Sequence, residues 1–209
     1  MNIFYYIKRP LVLIFRFRHS LGNGVHSPSA FDFITNVVYA KSPSYDYKEL
    51  ERECKNQFQY KSKDWNHEPQ RVNRLLFRLV NRVQPSVVID AGIKSASSLY
   101  LQAAKSDIDY SYVSEFSQLF LKSSSSVDFL YLHNSKEPAF IEAVFQTCVP
   151  LTTSRSLFVV EGIHSFRSMR LLWKKLQSDD RTGVSFDLYD VGILFFDHSK
   201  IKQHFIVNF

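Results

Sequence analysis

The chain has 209 residues and a mass of 24.4 kDa, the size of one domain or of one domain with a small extension. Hydrophobic residues make up 45% and charged residues 22%, a globular composition that excludes disordered and collagen-like classes. The six glycines form neither a G-x-G-x-x-G nor a G-x-x-x-x-G-K-[ST] spacing, which excludes dinucleotide-binding and P-loop motifs.

The net charge of +6 is concentrated near the N-terminus. Residues 1–82 hold 14 Lys and Arg against 7 Asp and Glu, whereas residues 83–209 hold 12 against 13. Such asymmetry can mark a segment that meets phosphate, but most charge runs are solvated helix faces, and we favour that interpretation. We do not expect nucleic acid as a partner.

The opening segment, residues 1–20, holds a short apolar run at 11–15 between basic residues. Five apolar residues cannot span a bilayer, and no small-residue cleavage site follows as a signal peptide requires. The segment would suit weak contact with an anionic membrane. Because Pro10 interrupts its helical periodicity, we favour docking on the protein's own core or on a second subunit in a homo-oligomer.

The two cysteines, Cys54 and Cys148, lie far apart and form no C-x-x-C pair. This spacing does not indicate a disulfide or zinc framework. It is typical of proteins in a reducing compartment, so we expect a cytoplasmic location.

From residue 67 onward, the hydrophobic pattern predicts alternating helices and strands. Apolar residues at helical spacing predict an amphipathic helix that ends before Pro85, with a stripe at Val72, Leu75, Leu76, Leu79, Val80 and Val83. Four arginines on its other side are expected to face solvent: Arg71, Arg74, Arg78 and Arg82. Strands are predicted at 86–90, 110–114, 127–132 and 157–160, and helices at about 95–105, 137–148 and 165–177. This alternation predicts a parallel sheet in an α/β fold.

The last 27 residues contain three strand-like runs, at 184–189, 193–196 and 205–209, without a helix between them. They predict an antiparallel hairpin added to the parallel sheet, with Gly192 at the first turn. We divide the chain into a basic helical extension, residues 1–66, and a Rossmann-like domain, residues 67–209. The run 41–47 is a predicted connector, and the serine run 123–126 a predicted loop.

Polar residues follow each predicted parallel strand, where ligands bind in α/β sheets. They are Asp90 and Gly92 after the first strand, Glu115 after the second, His133 and Asn134 after the third, and Glu161 and His164 after the fourth. Acidic residues at such positions also arise as turn formers and helix caps, which we regard as about equally common. The residues therefore indicate a ligand-binding edge without naming its ligand.

These elements, with Val87-Val88-Ile89-Asp90-Ala91-Gly92 and the closing hairpin, resemble class I S-adenosylmethionine-dependent methyltransferases of the O-methyltransferase-like type. Gly24-Val25-His26-Ser27-Pro28 is similar to a signature of one bacterial branch. The C-terminal half, from Ile163-His164 through Asp187-Leu188 to His204-Phe205, is similar to the same branch. The resemblance covers nearly the whole chain.

The resemblance implies a mostly parallel Rossmann-like methyltransferase sheet with a C-terminal antiparallel hairpin and an N-terminal helical extension. It implies S-adenosylmethionine as the cofactor, with Asp90 and Gly92 in its loop and Glu115 on its ribose. His133, which replaces a family acid, joins these cofactor-binding candidates. Glu161 and His164 are the catalytic candidates, His164 as a general base or orienting group. No metal site is implied, because carboxylates that would hold one are replaced.

The chain also departs from the family pattern, as a degenerate member would. The cofactor loop has one glycine followed by Ile93-Lys94, and Gly162 stands where the family has a second acid. Only residues 116–126 separate the second strand from the third, so about one βα unit and its adenine pocket are missing. We therefore keep two functions open. One is methyl transfer to an unidentified small acceptor, and the other is a catalytically inactive methyltransferase fold serving as a binding or interaction module.

Overall fold

The computed structural model describes residues 27–40, 47–59, 70–119 and 126–209, together with the single residue Ile14. The basic segment 1–20, the Gly24-Val25-His26 part of the signature, residues 41–46 of the connector and residues 123–125 of the serine run lie outside this description. Among the described residues, no helix is both long enough and apolar enough to cross a bilayer.

The described helices follow the predicted hydrophobic pattern. They are α1 (Pro28–Phe33), which continues into a π-helical turn (Ile34–Val38), α2 (Tyr47–Gln59), α3 (Gln70–Val83), α4 (Ser97–Ala103), α5 (Pro138–Cys148) and α6 (Arg167–Ser178). Ser27 caps α1 by accepting a hydrogen bond from the Ala30 amide at 3.4 Å, and Pro28 occupies the first turn.

Seven strands form one sheet in the order β2-β1-β3-β4-β6-β5-β7. The strands are β1 (Val87–Gly92), β2 (Asp109–Val113), β3 (Phe129–His133), β4 (Leu157–Glu161), β5 (Val184–Asp187), β6 (Val191–Phe195) and β7 (Gln203–Ile206). The first four are mutually parallel, and β6 runs antiparallel to both β4 and β5. The predicted fold class, a mostly parallel Rossmann-like sheet with a C-terminal antiparallel hairpin and N-terminal helices, is confirmed.

One detail of the C-terminal prediction is wrong. Gly192 lies inside β6 rather than at the turn, which is made by residues 188–190 with Tyr189 at φ 71°. The third run forms β7, which pairs parallel with β5 at the edge of the sheet. Because Tyr189 is not a glycine, this left-handed turn position could not be recognised from the sequence.

Helices cover both faces of the sheet. On one face, α1, α3 and α4 pack against apolar side chains from the strands, and on the other face α5 and α6 do the same. The predicted stripe of α3 is confirmed, since it is fully buried from Val72 to Val80. The sheet is therefore a buried central layer, as parallel sheets require.

The sequence predicted that the four arginines of α3 face solvent. In the structure, they also form hydrogen bonds and ion pairs with neighbouring elements. Arg78 donates hydrogen bonds to the carbonyls of Val37 at 2.6 Å and Val38 at 3.0 Å, the last residues of the π-helical turn. The other three arginines form ion pairs with carboxylates. Arg82 pairs with Asp32 at 2.9 Å, Arg74 pairs with Glu51, and Arg71 pairs with Asp190. The basic charge of α3 thus attaches this helix to α1, α2 and the β5–β6 turn.

Gly192 in β6 supplies a test of the packing between the sheet and α6. A Cβ atom at this position would lie closer than 3.0 Å to three atoms of the buried Trp173 ring. We expect Gly192→Ala to lower the free energy of unfolding by about 1–3 kcal/mol, because the ring must leave its packed position. Urea denaturation measures this, with Ser168→Ala on the exposed side of α6 as the control. Equal stability of the two variants would contradict the packing described here.

Candidate functional site at the carboxyl ends of the strands

Three of the predicted site residues lie on neighbouring strands and on the same face of the sheet. Asp90 on β1 stands opposite Tyr131 on β3, which stands opposite Val159 on β4. His133 and Glu161 each lie two residues further along their strands. Because side chains alternate along a strand, Asp90, His133 and Glu161 all point to the side covered by α3 and α4.

Asp90 and His133 form a buried pair. His133 Nε2 lies 2.7 Å from Asp90 Oδ1, and each residue is 1% exposed. The Tyr110 hydroxyl donates to the other carboxylate oxygen, Oδ2, at 2.6 Å. A buried carboxylate costs several kcal/mol unless it is hydrogen-bonded, and here both of its oxygens are satisfied within the protein.

Gly92, the predicted cofactor glycine, lies directly against the His133 ring. The two residues are opposite each other in the β1–β3 register. A Cβ atom on Gly92 would lie 2.8 Å from His133 Cδ2, and the residue has φ +154°. Only glycine fits here, because the ring occupies the space beside it. The Tyr112 hydroxyl donates to the Gly92 carbonyl at 3.0 Å, so this carbonyl is also hydrogen-bonded within the protein.

Tyr131 connects the pair to Glu161. Its ring stacks on the His133 ring with centroids 4.5 Å apart, and its hydroxyl donates to Glu161 Oε2 at 3.0 Å. Burial, together with the nearby Asp90 charge, raises the pKa of Glu161 to about 7, although the Tyr131 hydrogen bond acts in the opposite direction. Glu161 would therefore be part protonated at neutral pH, as a general acid or base is.

The turn after β4 requires glycine at position 162. Gly162 has φ +69°, and a Cβ atom there would lie 2.7 Å from the Ser135 Cβ atom. Its amide donates to the Asp190 carbonyl at 2.7 Å, and its carbonyl accepts from Ser165 Oγ at 2.6 Å. A second acid at this position, as in the family that the sequence resembles, would not fit this turn.

His164 is held by a carboxylate outside the predicted set. Its Nε2 atom lies 2.7 Å from Asp187 Oδ2, and its ring stacks on Tyr189 with centroids 5.1 Å apart. The His164 side chain is 21% exposed. Such a pair fixes the orientation of the ring. His164 is thus positioned by the β5–β6 turn, whereas Glu161 is bound to Tyr131.

Glu115, the predicted ribose-binding acid, is exposed and serves in a local capping box. Its side chain accepts a hydrogen bond from the backbone of a 3₁₀ turn (Phe116–Gln118), while the Gln118 side chain accepts from the Glu115 amide at 3.3 Å. This is the capping role that the sequence left open. No described contact joins Glu115 to the Asp90–His133 pair.

The structure therefore brings Asp90, Gly92, His133 and Glu161 together, and gives Glu115 and His164 separate partners. Tyr110, Tyr131 and Asp187, which hold these groups, were not among the predicted site residues. Tyr131 lies two residues before His133 on the same strand, and this alternation was the signal that could have identified it, whereas Tyr110 carried no such signal. Asp187 carried no signal, because only the sheet order brings β5 near His164. In the described part of the chain, no group of three or more His, Cys, Asp or Glu side chains could hold a metal ion.

Comparison with known proteins supports the fold. No family model matches the chain, and no curated protein matches it. Among solved structures, the O-methyltransferase TomG from Streptomyces achromogenes, in complex with S-adenosylmethionine, is similar with a TM-score of 0.53 and 12% identity, covering 78% of this chain and 95% of that one. A Staphylococcus aureus protein described as a putative caffeoyl-CoA O-methyltransferase is similar with a TM-score of 0.50 and 10% identity, covering 79% and 98%. The chain thus has the Rossmann-like fold of S-adenosylmethionine-dependent O-methyltransferases.

The residues at the end of β1 do not fit S-adenosylmethionine as they stand. The His133 ring fills the space beside Gly92, and each Asp90 oxygen already has a hydrogen-bond partner within the protein. Lys94, which follows in the same loop, is exposed, and its positive charge would disfavour a sulfonium cation nearby. The fold is that of a cofactor-binding protein, but this chain's side chains occupy the strand end.

We expect His133→Ala to lower the free energy of unfolding by about 2–4 kcal/mol, because it leaves the buried Asp90 carboxylate short of a donor and opens a cavity. Asp90→Asn should also destabilise, and the double variant should lose less than the two single losses together. Urea denaturation of the four proteins measures this coupling, with the exposed His198→Ala as control. Strictly additive losses would show that the pair does not interact.

We expect Glu161 to make stability depend on pH. The pKa of Glu161 in the folded protein, about 7, is above its ordinary value of 4.5. The contribution of Glu161 to the free energy of unfolding is therefore fully present below pH 4.5 and is lost as the pH rises through 7. Glu161→Gln should therefore be more stable than the wild type at pH 8, by about 1–3 kcal/mol, with a smaller difference at pH 5. Urea denaturation at both pH values tests this, with the exposed Glu137→Gln as control. Parallel pH profiles for wild type and Glu161→Gln would refute the raised pKa.

Proposed function

We propose that this chain is a catalytically inactive methyltransferase-fold protein that serves as a binding or interaction module. The observation that carries this proposal is the position of His133. Its ring lies against Gly92 and is hydrogen-bonded to Asp90, so that side chains of the protein fill the strand end where a cofactor would bind.

The energetics of this pair support the proposal. To admit a ligand beside Gly92, the His133 ring would have to rotate away, leaving a buried carboxylate with the Tyr110 hydroxyl as its remaining described donor. Leaving a buried charged group without one of its hydrogen bonds costs about 1–3 kcal/mol or more. This cost exceeds the net contribution of an ordinary hydrogen bond to stability. The ligand would have to supply this free energy before any net binding appeared.

The link between β2 and β3 supports the same conclusion. Residues 114–128 join the two strands, and their described part contains one 3₁₀ turn and no strand. In the methyltransferases that the sequence resembles, a helix, a further strand and the adenine pocket stand at this point. In this chain, the link is too short to supply that helix, strand and adenine pocket.

Methyl transfer is the second candidate, and the state of Glu161 and His164 favours it. A carboxyl group with a pKa near 7 and a histidine oriented by Asp187 are suited to removing a proton from an acceptor. In that case S-adenosylmethionine would bind across Asp90, Gly92 and Glu115, with His133 displaced, and a small acceptor would lie near His164. Homo-oligomer formation and weak membrane contact through residues 1–20 stay predictions under either function.

Calorimetric titration with S-adenosylmethionine and with S-adenosylhomocysteine distinguishes the two functions. We expect no binding heat up to millimolar ligand, which corresponds to a free energy weaker than about −4 kcal/mol. Circular dichroism and cooperative urea unfolding of the same sample show that the protein is folded. The same titrations on Glu115→Ala and on the remote, exposed Asp107→Ala should also give no heat.

Micromolar binding that weakens in Glu115→Ala and not in Asp107→Ala would overturn the proposal and support the enzyme. Micromolar binding that is unchanged in both variants would also overturn it, and would place the cofactor elsewhere than on Glu115.

A further inference from the structure

A concave site lies at the amino ends of β4, β5 and β7, the opposite end of the strands from Asp90 and Glu161. It is a cleft of about 640 Å³, bounded by the first residues of β4, β5 and β7 and by the last residue of β6. Helix α1 and the last turn of α3 form its other wall. Its volume lies in the range of small-molecule sites.

Three aromatic rings form the floor of this cleft. The Phe33 ring from α1 lies 4.7 Å from Phe186 on β5 and 5.1 Å from Phe195 on β6, measured between centroids, and the Phe186 and Phe195 rings are 5.9 Å apart. Leu157 and Val184 extend the apolar lining. Phe33 and Phe186 are buried in the core and Phe195 is half-buried, so the cleft meets this packed aromatic layer mainly at Phe195.

The rim of the cleft carries an excess of positive charge. Arg82 is paired with Asp32 at 2.9 Å and Lys200 with Asp197 at 3.5 Å. Arg155, from the loop before β4, is exposed, and no ion pair of its guanidinium is found among the residues that the structure describes. An arginine binds a carboxylate or phosphate through two parallel hydrogen bonds. The rim therefore complements one anionic group above an apolar floor.

We propose that this cleft binds a free single-chain amphiphile with an anionic head, whose tail lies on Phe195 and Val184 above the packed Phe33 and Phe186 rings and whose head is bound by Arg155. The charge of Arg155 selects an anion, and the aromatic floor selects a tail of several methylene groups. This site goes beyond the proposed function, because it lies at the opposite end of the strands from Asp90 and Glu161. It also does not depend on whether S-adenosylmethionine binds.

Calorimetric titration of the full chain with sodium dodecanoate and with dodecyl phosphate, both below micelle formation, tests the proposal. At least one should bind, and the two arms show whether the head is a carboxylate or a phosphate. Shortening the chain from twelve to ten to eight carbons should weaken binding about three- to fourfold per methylene, as expected for burial of the tail. Dodecyltrimethylammonium, which has the same tail and a cationic head, should bind at least tenfold more weakly.

Two charge reversals locate the site. Arg155→Glu should weaken binding of the anionic amphiphile by about tenfold. Arg170→Glu, which reverses an exposed charge on α6, should leave binding unchanged. Urea denaturation of both variants confirms that they are folded. Since the chain is tested whole, occupation of the cleft by the chain's own undescribed residues would appear as an absence of binding.

Four results would each overturn the proposal. These are no binding of either anion, equal binding of the cationic amphiphile, affinity that does not depend on tail length, and equal weakening by the two charge reversals. None of them bears on the titration with S-adenosylmethionine, so this proposal and the proposed function can fail separately.

Discussion

The hydrogen bond between Asp90 and His133 is the interaction on which the carboxyl end of this sheet depends. It joins β1 to β3 below the surface, and the Tyr110 and Tyr131 side chains extend it to β2 and to Glu161 on β4. Because both Asp90 oxygens are used, each neighbour is restrained by the same buried charge. Gly92 fits beside the ring only because it has no side chain.

This network gives the strand end a different character from that of an open cofactor site. In an open site, polar groups at the ends of parallel strands are directed towards a ligand. Here they are directed towards each other, and the Gly162 turn and the His164–Asp187 pair continue the same pattern. The sheet has a Rossmann-like methyltransferase fold, and the polar groups at its strand ends bond to one another. The cleft beside α1 lies at the amino ends of β4, β5 and β7.

Much of the fold could be predicted from the sequence, because hydrophobic periodicity reports burial directly. The stripe of α3, the four parallel strands and the hairpin were all found in this way. Contacts over long range could not be predicted. The arginines of α3 looked like a solvated face, but Arg78 bonds to the π-helical turn and Arg71 to Asp190. The pattern shows which side of a helix is apolar, and it does not show what lies opposite the polar side.

In the candidate site, too, local features could be predicted from the sequence and long-range contacts could not. The sequence by itself determined which residues stand at the strand ends, since Asp90, His133 and Glu161 each follow a short apolar run that is typical of a buried strand. Only the tertiary structure decided what those residues do. The order of the strands placed His133 against Gly92 and within 2.7 Å of Asp90, and placed Asp187 beside His164. Strand order depends on packing across the whole sheet, so no local pattern could reveal that these polar groups satisfy one another.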